Sequence, residues 1–186
     1  MPYISLGNEA PGILSLFEYR PETAKPLCEL AEVLLRGRST LSRGERELIA
    51  SYVSSLNHCS FCTDSHAAFA AAQLPGGMAL VDQVRTDPDE APVAPRLKAL
   101  LEIAAAVQRS GQDVSEKHVA AARETGATDR EIHDTVLIAA AFCMYNRYVD
   151  GLATSLPENP EGYAAYAEVI VDTGYLAGAA SAGSPG

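Results

Sequence analysis

The stretch "ERELIASYVSSLNHCSFCTDSHAAF", Glu45 to Phe69, reads as two helices separated by a break. Just upstream, Ser42-x-x-Glu45 is a capping-box signature that starts a helix running through Leu56. Asn57-His58 interrupts it. A second helix in "SFCTDSHAAFAAAQ" continues until "LPGG", Leu74 to Gly77, stops it. The break lets the second helix fold back against the first.

The same pattern extends in both directions. From Pro21 to Arg36 the apolar residues Leu27, Leu30, Ala31, Val33, Leu34 and Leu35 follow helical spacing, with Gly37 as a terminator. A short helix is expected around Met78 to Arg85, followed by an exposed Pro- and Asp-rich connector from Thr86 to Pro95. "RLKALLEIAAAVQRSG" and "SEKHVAAARETG" each supply a helix. Thr128-x-x-Glu131 is a second capping box, opening a long helix in "TDREIHDTVLIAAAFCMYNRYVDGLA", and a last helix lies between Glu161 and Thr173. Nothing alternates with period two for long enough to make a strand, so the fold is expected to be all-α. The expected organisation is an N-terminal arm over 1–20, a helical domain over 21–173 and a disordered tail over 174–186. Shifting the chain by 84 sets Glu47 on Glu131, Cys59 on Cys143, Cys62 on Asn146 and His66 on Asp150. That is either a chance likeness or the trace of two similar helical halves packed as one domain.

Composition narrows the function classes. Tryptophan is absent and aromatics are only 6%, while alanine and leucine abound, a mixture that favours helices. The formal net charge of −10 repels phosphate backbones and anionic lipid, which argues against nucleic-acid and membrane partners. No apolar run follows a basic start, and no stretch of about 18 apolar residues could span a bilayer. The protein is therefore expected in the cytoplasm. Thiols are kept reduced there, so Cys28, Cys59, Cys62 and Cys143 make a poor disulfide framework, and the close pair points to chemistry or metal.

Cys62 and His66, four apart, share a helix face, and Cys59 falls on it near the helix start. Unpaired backbone N–H groups there favour a thiolate, the nucleophile of thiol redox chemistry. Counted from the break, Glu47 is about ten residues up its helix and His66 about seven along its own. At roughly 1.5 Å per residue their levels differ by about 5 Å, so a carboxylate could orient the imidazole and accept its proton. Glu45 points to another face and belongs to the cap.

With Glu47, eleven residues, then Cys59-x-x-Cys62-x-x-x-His66, the chain resembles the alkyl hydroperoxidase D-like (AhpD-like), or carboxymuconolactone decarboxylase-like, superfamily. Within it, the likeness is to the branch called peroxidase-related enzymes. The later "FCMYNRYVDGLATSLPE" resembles the Asn-Arg-x-x-Asp-Gly segment of that branch, and the likeness spans Pro21 to Glu158. The resemblance implies an AhpD-like helical bundle that assembles into trimers or larger homo-oligomers. It also implies peroxide reduction without a cofactor or metal. Carried over, Cys62 would be the attacking thiolate, Cys59 the resolving thiol, and His66 and Glu47 a proton relay. A sulfenic acid at Cys62 would condense with Cys59 to a disulfide, and an external dithiol, a lipoyl-bearing or thioredoxin-like protein, would reduce it. One departure stands out: the alkyl hydroperoxidase D motif has histidine immediately before the second cysteine, where this chain has Phe61.

Other readings stay open. Cys59, Cys62 and His66, with His58 or Glu47 as a fourth ligand, could form a zinc-binding or redox-sensing module without turnover. The three could also be an inert remnant, or Glu47 and His66 could serve lactone decarboxylation without thiols. Cys28 and Cys143 read as small buried hydrophobes. His118 reads as solvated and His133 as capping or pairing. Asn146, Arg147 and Asp150 interrupt an apolar helix and read as a structural network or subunit contact, with a substrate-facing role as the alternative.

Overall fold

A computed structural model describes residues 1–159 and 161–176 of the chain. Among them it forms nine α-helices, one turn of 3-10 helix at Gly111–Asp113, and no strand. The helices are α1 (Ile13–Tyr19), α2 (Pro21–Arg36), α3 (Arg43–Leu56), α4 (Ser60–Ala71) and α5 (Gly77–Thr86). They continue with α6 (Pro95–Arg109), α7 (Glu116–Glu124), α8 (Asp129–Gly151) and α9 (Glu161–Thr173). The all-α expectation holds. No helix among the described residues is long and apolar enough to cross a membrane.

Both capping boxes form. The Glu45 amide donates to Ser42 Oγ and the Ser42 amide to Glu45 Oε2, at 3.1 and 2.7 Å. At α8 the Glu131 amide donates to Thr128 Oγ1 and the Thr128 amide to Glu131 Oε2, at 3.2 and 2.8 Å. Arg96, from the first turn of α6, joins the two starts: its guanidinium donates to Glu131 Oε1 at 2.7 Å and Glu45 Oε1 at 3.0 Å. The two segments paired by the sequence shift thus share a kind of beginning. Their courses differ, because α8 runs unbroken for 23 residues while the first segment turns back after Leu56.

The centre of the molecule is α3, buried from Arg46 through Ser54. A helix buried all round must satisfy its polar side chains internally. Arg46 donates to the carbonyls of Leu34 and Gly37 at the end of α2, both at 3.0 Å. Ser51 Oγ donates to the Thr63 carbonyl of α4 at 3.0 Å, and Ser54 Oγ accepts from Asn146 Nδ2 of α8 at 3.0 Å. Between these bonds, Leu48, Ile49 and Val53 pack with Leu35, Leu100, Leu101, Ile103, Ile138 and Phe142. Each such side chain contributes about 1.5–3 kcal/mol by leaving water; truncating Leu48 or Leu100 to alanine would cost about 2–5 kcal/mol.

The folding-back of α4 on α3 depends on His58, which takes the left-handed conformation at φ 60°. The Cys59 amide then donates to the Ser54 carbonyl at 3.1 Å, closing the turn. The N-terminal arm includes α1 and is bonded to the segment after α8: the amides of Tyr3 and Gly12 donate to the carbonyls of Leu152 and Ser155, at 3.0 and 2.8 Å. Helix α9 packs on α4 and is held from α2 by Arg36, whose guanidinium donates to the Ile170 and Val171 carbonyls, both at 2.8 Å. Beyond it, the Tyr175 amide donates to Glu32 Oε2 at 2.8 Å. Most of the segment expected to be a disordered tail, 177–186, lies outside the described residues.

Candidate active site

The turn at Asn57-His58 makes Cys59 the N-cap of α4 and sets Cys62 in its first turn, where backbone N–H groups lack intrahelical partners. Cys62 and His66 both line one cavity of about 60 Å³, enclosed by α1, α2, α4, α8, α9 and Tyr175. Its walls are largely apolar, contributed by Ile13, Phe17, Leu27, Phe61, Phe69 and Phe142 among others. Cys59 is not on that wall. It is fully buried behind Cys62, in a cluster with Phe61 and Val149. All four cysteines are free thiols.

Glu47 and His66, which helix counting sets near the same level, are in contact. His66 Nδ1 lies 2.6 Å from Glu47 Oε2. A carboxylate can only accept, so Nδ1 carries the proton and Nε2 is left as the ring nitrogen free for other work. The ring is fixed by the edges of Phe142 and Phe69, at centroid distances of 4.5 and 5.1 Å, and by Tyr175, nearly parallel at 6.2 Å. The second oxygen of Glu47 accepts from Tyr175 Oη at 2.6 Å. Burial first, then the Glu47 charge and the hydrogen bond to it, push the Tyr175 phenol well above its ordinary pKa. Tyr175 therefore remains a donor.

The surroundings of Cys59 disfavour its anion. The Cys62 side chain beside it, then burial, raise the pKa of Cys59 far above the usual thiol range, and Asp150 adds a smaller push in the same direction. Cys28 also lines the cavity, and burial pushes its thiol up to about 11.

Of the other residues singled out in the sequence, His58 is exposed and does not line the cavity. Phe61, where the resemblance calls for histidine, is a buried wall residue packed against Gly12 and, at 6.1 Å between ring centroids, against Tyr163. A Cβ at Gly12 would come within 2.2 Å of the Phe61 ring, and Gly12 sits at φ 55°, so that close approach needs glycine. Among the described residues no three His, Cys, Asp or Glu side chains are arranged to hold a metal ion. Cys28, read from the sequence as a small buried hydrophobe, is buried and also lines the cavity, whereas Tyr175 and Ser65 were not picked out from the sequence. Ser65 could have been, since it sits three residues after Cys62 on the same helix face; Tyr175 gives no local signal.

The bundle and this site define an all-helical protein of the AhpD-like class. The chain belongs to the carboxymuconolactone decarboxylase family, whose model matches residues 21–74 and 76–154. Among solved structures it is similar to an uncharacterized peroxidase-related protein from Silicibacter sp. TM1040, with 29% identity and a TM-score of 0.74 over 83% of this chain and 78% of that one. A second is the alkylhydroperoxidase AhpD core of an uncharacterized peroxidase-related protein from Ralstonia eutropha JMP134, with 26% identity and a TM-score of 0.74 over 83% and 80%. A third, a protein of unknown function from Agrobacterium tumefaciens named as a candidate AhpD antioxidant defence protein, shares the fold at 20% identity and a TM-score of 0.68 over 77% and 97%. No curated protein matches the chain by sequence.

Proposed function

We propose that the protein is a thiol-dependent peroxidase whose Cys62 reduces a hydroperoxide and whose Cys59 resolves the product as a disulfide. The observation that carries this reading is the sharing of one cavity by Cys62 and His66, with Glu47 bonded to the far side of the imidazole and Cys59 packed behind Cys62. The description of the Silicibacter and Ralstonia structures as peroxidase-related supports it.

His66 Nε2 takes the proton of the Cys62 thiol, and Glu47 steadies the resulting imidazolium through Nδ1–H. The thiolate forms an S–O bond to the hydroperoxide as the O–O bond breaks; the leaving alkoxide takes the imidazolium proton and departs as an alcohol. Cys59 gives up its proton as its sulfur attacks the Cys62 sulfenic sulfur; the S–O bond breaks, the hydroxide takes that proton, and water leaves as the disulfide forms. Exchange with an external dithiol, lipoyl-bearing or thioredoxin-like, returns both thiols. With Phe61 in place of a second imidazole, His66 is the one ring base at the cavity among the described residues. The working form is a cytoplasmic homo-oligomer.

Intact mass after one equivalent of hydroperoxide tests the scheme. The native protein loses about 2 Da as the disulfide forms, Cys59→Ser stops at an oxygen adduct, and Cys62→Ser is unchanged. His66→Ala slows alkylation of Cys62 by at least about tenfold. Thiols that stay free, or pass only to sulfonic acid, sink the proposal. Lactone decarboxylation that persists without both cysteines would replace it.

A further inference from the structure

Among the described residues, the cavity wall carries a buried hydroxyl with no hydrogen-bond partner. Ser65 is 2% exposed, lines the cavity beside Cys62 and His66, and its Oγ has no hydrogen-bond partner. Elsewhere the buried serines of this bundle are satisfied: Ser51 by the Thr63 carbonyl, Ser54 by Asn146, and Ser15 by the Gly12 carbonyl. A buried hydroxyl without a partner destabilises a fold, and a helical serine replaced by alanine would lose nothing in propensity. Its position at a reactive thiol therefore calls for a ligand that bonds to it.

We infer that Ser65 is the residue that anchors the hydroperoxide, a role that rests on the peroxidase reading above. Cys62, Ser65 and His66 stand at i, i+3 and i+4 of α4, so a thiolate, a hydroxyl and a ring nitrogen converge from one helix face onto one small space. The attacking sulfur needs the O–O axis aligned with it, which a single apolar wall cannot impose. The Ser65 hydroxyl donates to the oxygen that carries the alkyl group, where negative charge gathers as the O–O bond breaks. The distal oxygen, with its hydrogen, is transferred to Cys62, which is oxidised by two electrons; the alkoxide takes its proton from the His66 imidazolium. A preorganised donor aimed at developing charge, in a largely apolar cavity, acts on the transition state more than on the ground state. The volume limits the rest of the molecule. An apolar cavity of about 150 Å³ accommodates benzene, and this one measures about 60 Å³. The ligand class is a hydroperoxide with a short aliphatic tail, in preference to an aryl hydroperoxide.

Stopped-flow oxidation of Cys62 by ethyl hydroperoxide and by cumene hydroperoxide, in native protein, Ser65→Ala and Ser65→Thr, tests this. Ser65→Ala should react with ethyl hydroperoxide about 10–100-fold more slowly, while its Cys62 alkylates with iodoacetamide at the native rate. Its melting temperature should equal or exceed that of the native protein, because an unpartnered hydroxyl has gone. Ser65→Thr, which keeps the hydroxyl, should recover most of the rate, and cumene hydroperoxide should be slower than ethyl hydroperoxide with native protein. Equal oxidation of Ser65→Ala and native protein overturns the assignment while leaving the peroxidase reading intact. Parallel loss of alkylation would make Ser65 part of thiol activation and overturns it too. Native thiols that resist both hydroperoxides overturn both readings together.

Discussion

Glu47 is nearly inaccessible, and each of its carboxylate oxygens has one strong partner, His66 Nδ1 on one side and Tyr175 Oη on the other. Only the first of these could be read from the sequence. Glu47 and His66 are 19 residues apart across one turn, so counting helix rises from Asn57-His58 brings them level. Tyr175 is 128 residues away and arrives through the packing of α9 on α4 and the grip of Arg36 and Glu32 on the end of α9. No periodicity records such a contact. Its weight can be measured. Tyr175→Phe keeps the ring against His66 and removes only the donor, leaving a buried carboxylate oxygen unpaired. That should cost about 1–3 kcal/mol, or about 2–12 °C in melting temperature for a chain of this size. Unchanged melting would mean that Glu47 finds a replacement donor and that Tyr175 is only a wall.

At the scale of elements, the turn between α3 and α4 is held by a chain of amides. Gln108 Nε2 of α6 donates to Asn57 Oδ1 at 2.9 Å, Asn57 Nδ2 to Asn146 Oδ1 at 2.8 Å, and Asn146 Nδ2 to Ser54 Oγ at 3.0 Å. Three helices are thereby fixed at the residues that aim Cys59 and Cys62. Asn146, Arg147 and Asp150 looked alike in the sequence as polar interruptions of an apolar helix. They separate in the fold: Asn146 is buried in the amide chain, whereas Arg147 and Asp150 are exposed. Arg147 donates only to the Cys143 carbonyl one turn back, at 2.9 Å. Cys143, expected as a buried hydrophobe, is half-buried and accepts from Asn57 Nδ2 at 3.5 Å. Sequence could mark these positions as polar but could not say which had a neighbour. Asn146→Ala should therefore lower stability by about 2–4 kcal/mol, since it strands Asn57 and Ser54 together. Arg147→Ala should stay within about 0.5 kcal/mol in the same denaturant titration. Equal effects would dissolve the distinction.

For the whole molecule, the helical class and most helix extents were legible because capping boxes, glycine stops and periodicity agree with one another. The cavity was not, because five helices and Tyr175 from distant parts of the chain must converge to enclose it. That convergence buries phenols, and it sets how stability follows pH. Burial pushes Tyr163 and Tyr166 up to about 12, and Tyr145 and Tyr175 upward as well. An unfolded phenol titrates near about 10. A raised native pKa means that the contribution of each neutral phenol is complete below about 10 and disappears as pH climbs through the native value. Glu131 runs the other way. Burial opposes its charge, but hydrogen bonds from the Thr128 amide and the Thr40 and Thr128 hydroxyls, with Arg96 nearby, hold it below the usual carboxylate range. Its contribution is present above the unfolded value of about 4.3 and fades as pH falls through the native one. Helix melting followed by circular dichroism from pH 3 to 12 should show a plateau between about pH 5 and 9. Glu131→Gln should flatten the acid limb. On the alkaline limb, tyrosinate absorbance from the buried phenols should rise in the same step as helix is lost, because those rings ionise only when water reaches them. If all tyrosines titrated near pH 10 with the helices intact, water would have to reach Tyr145, Tyr166 and Tyr175 in the folded protein, and the apolar enclosure of the cavity they line would not hold.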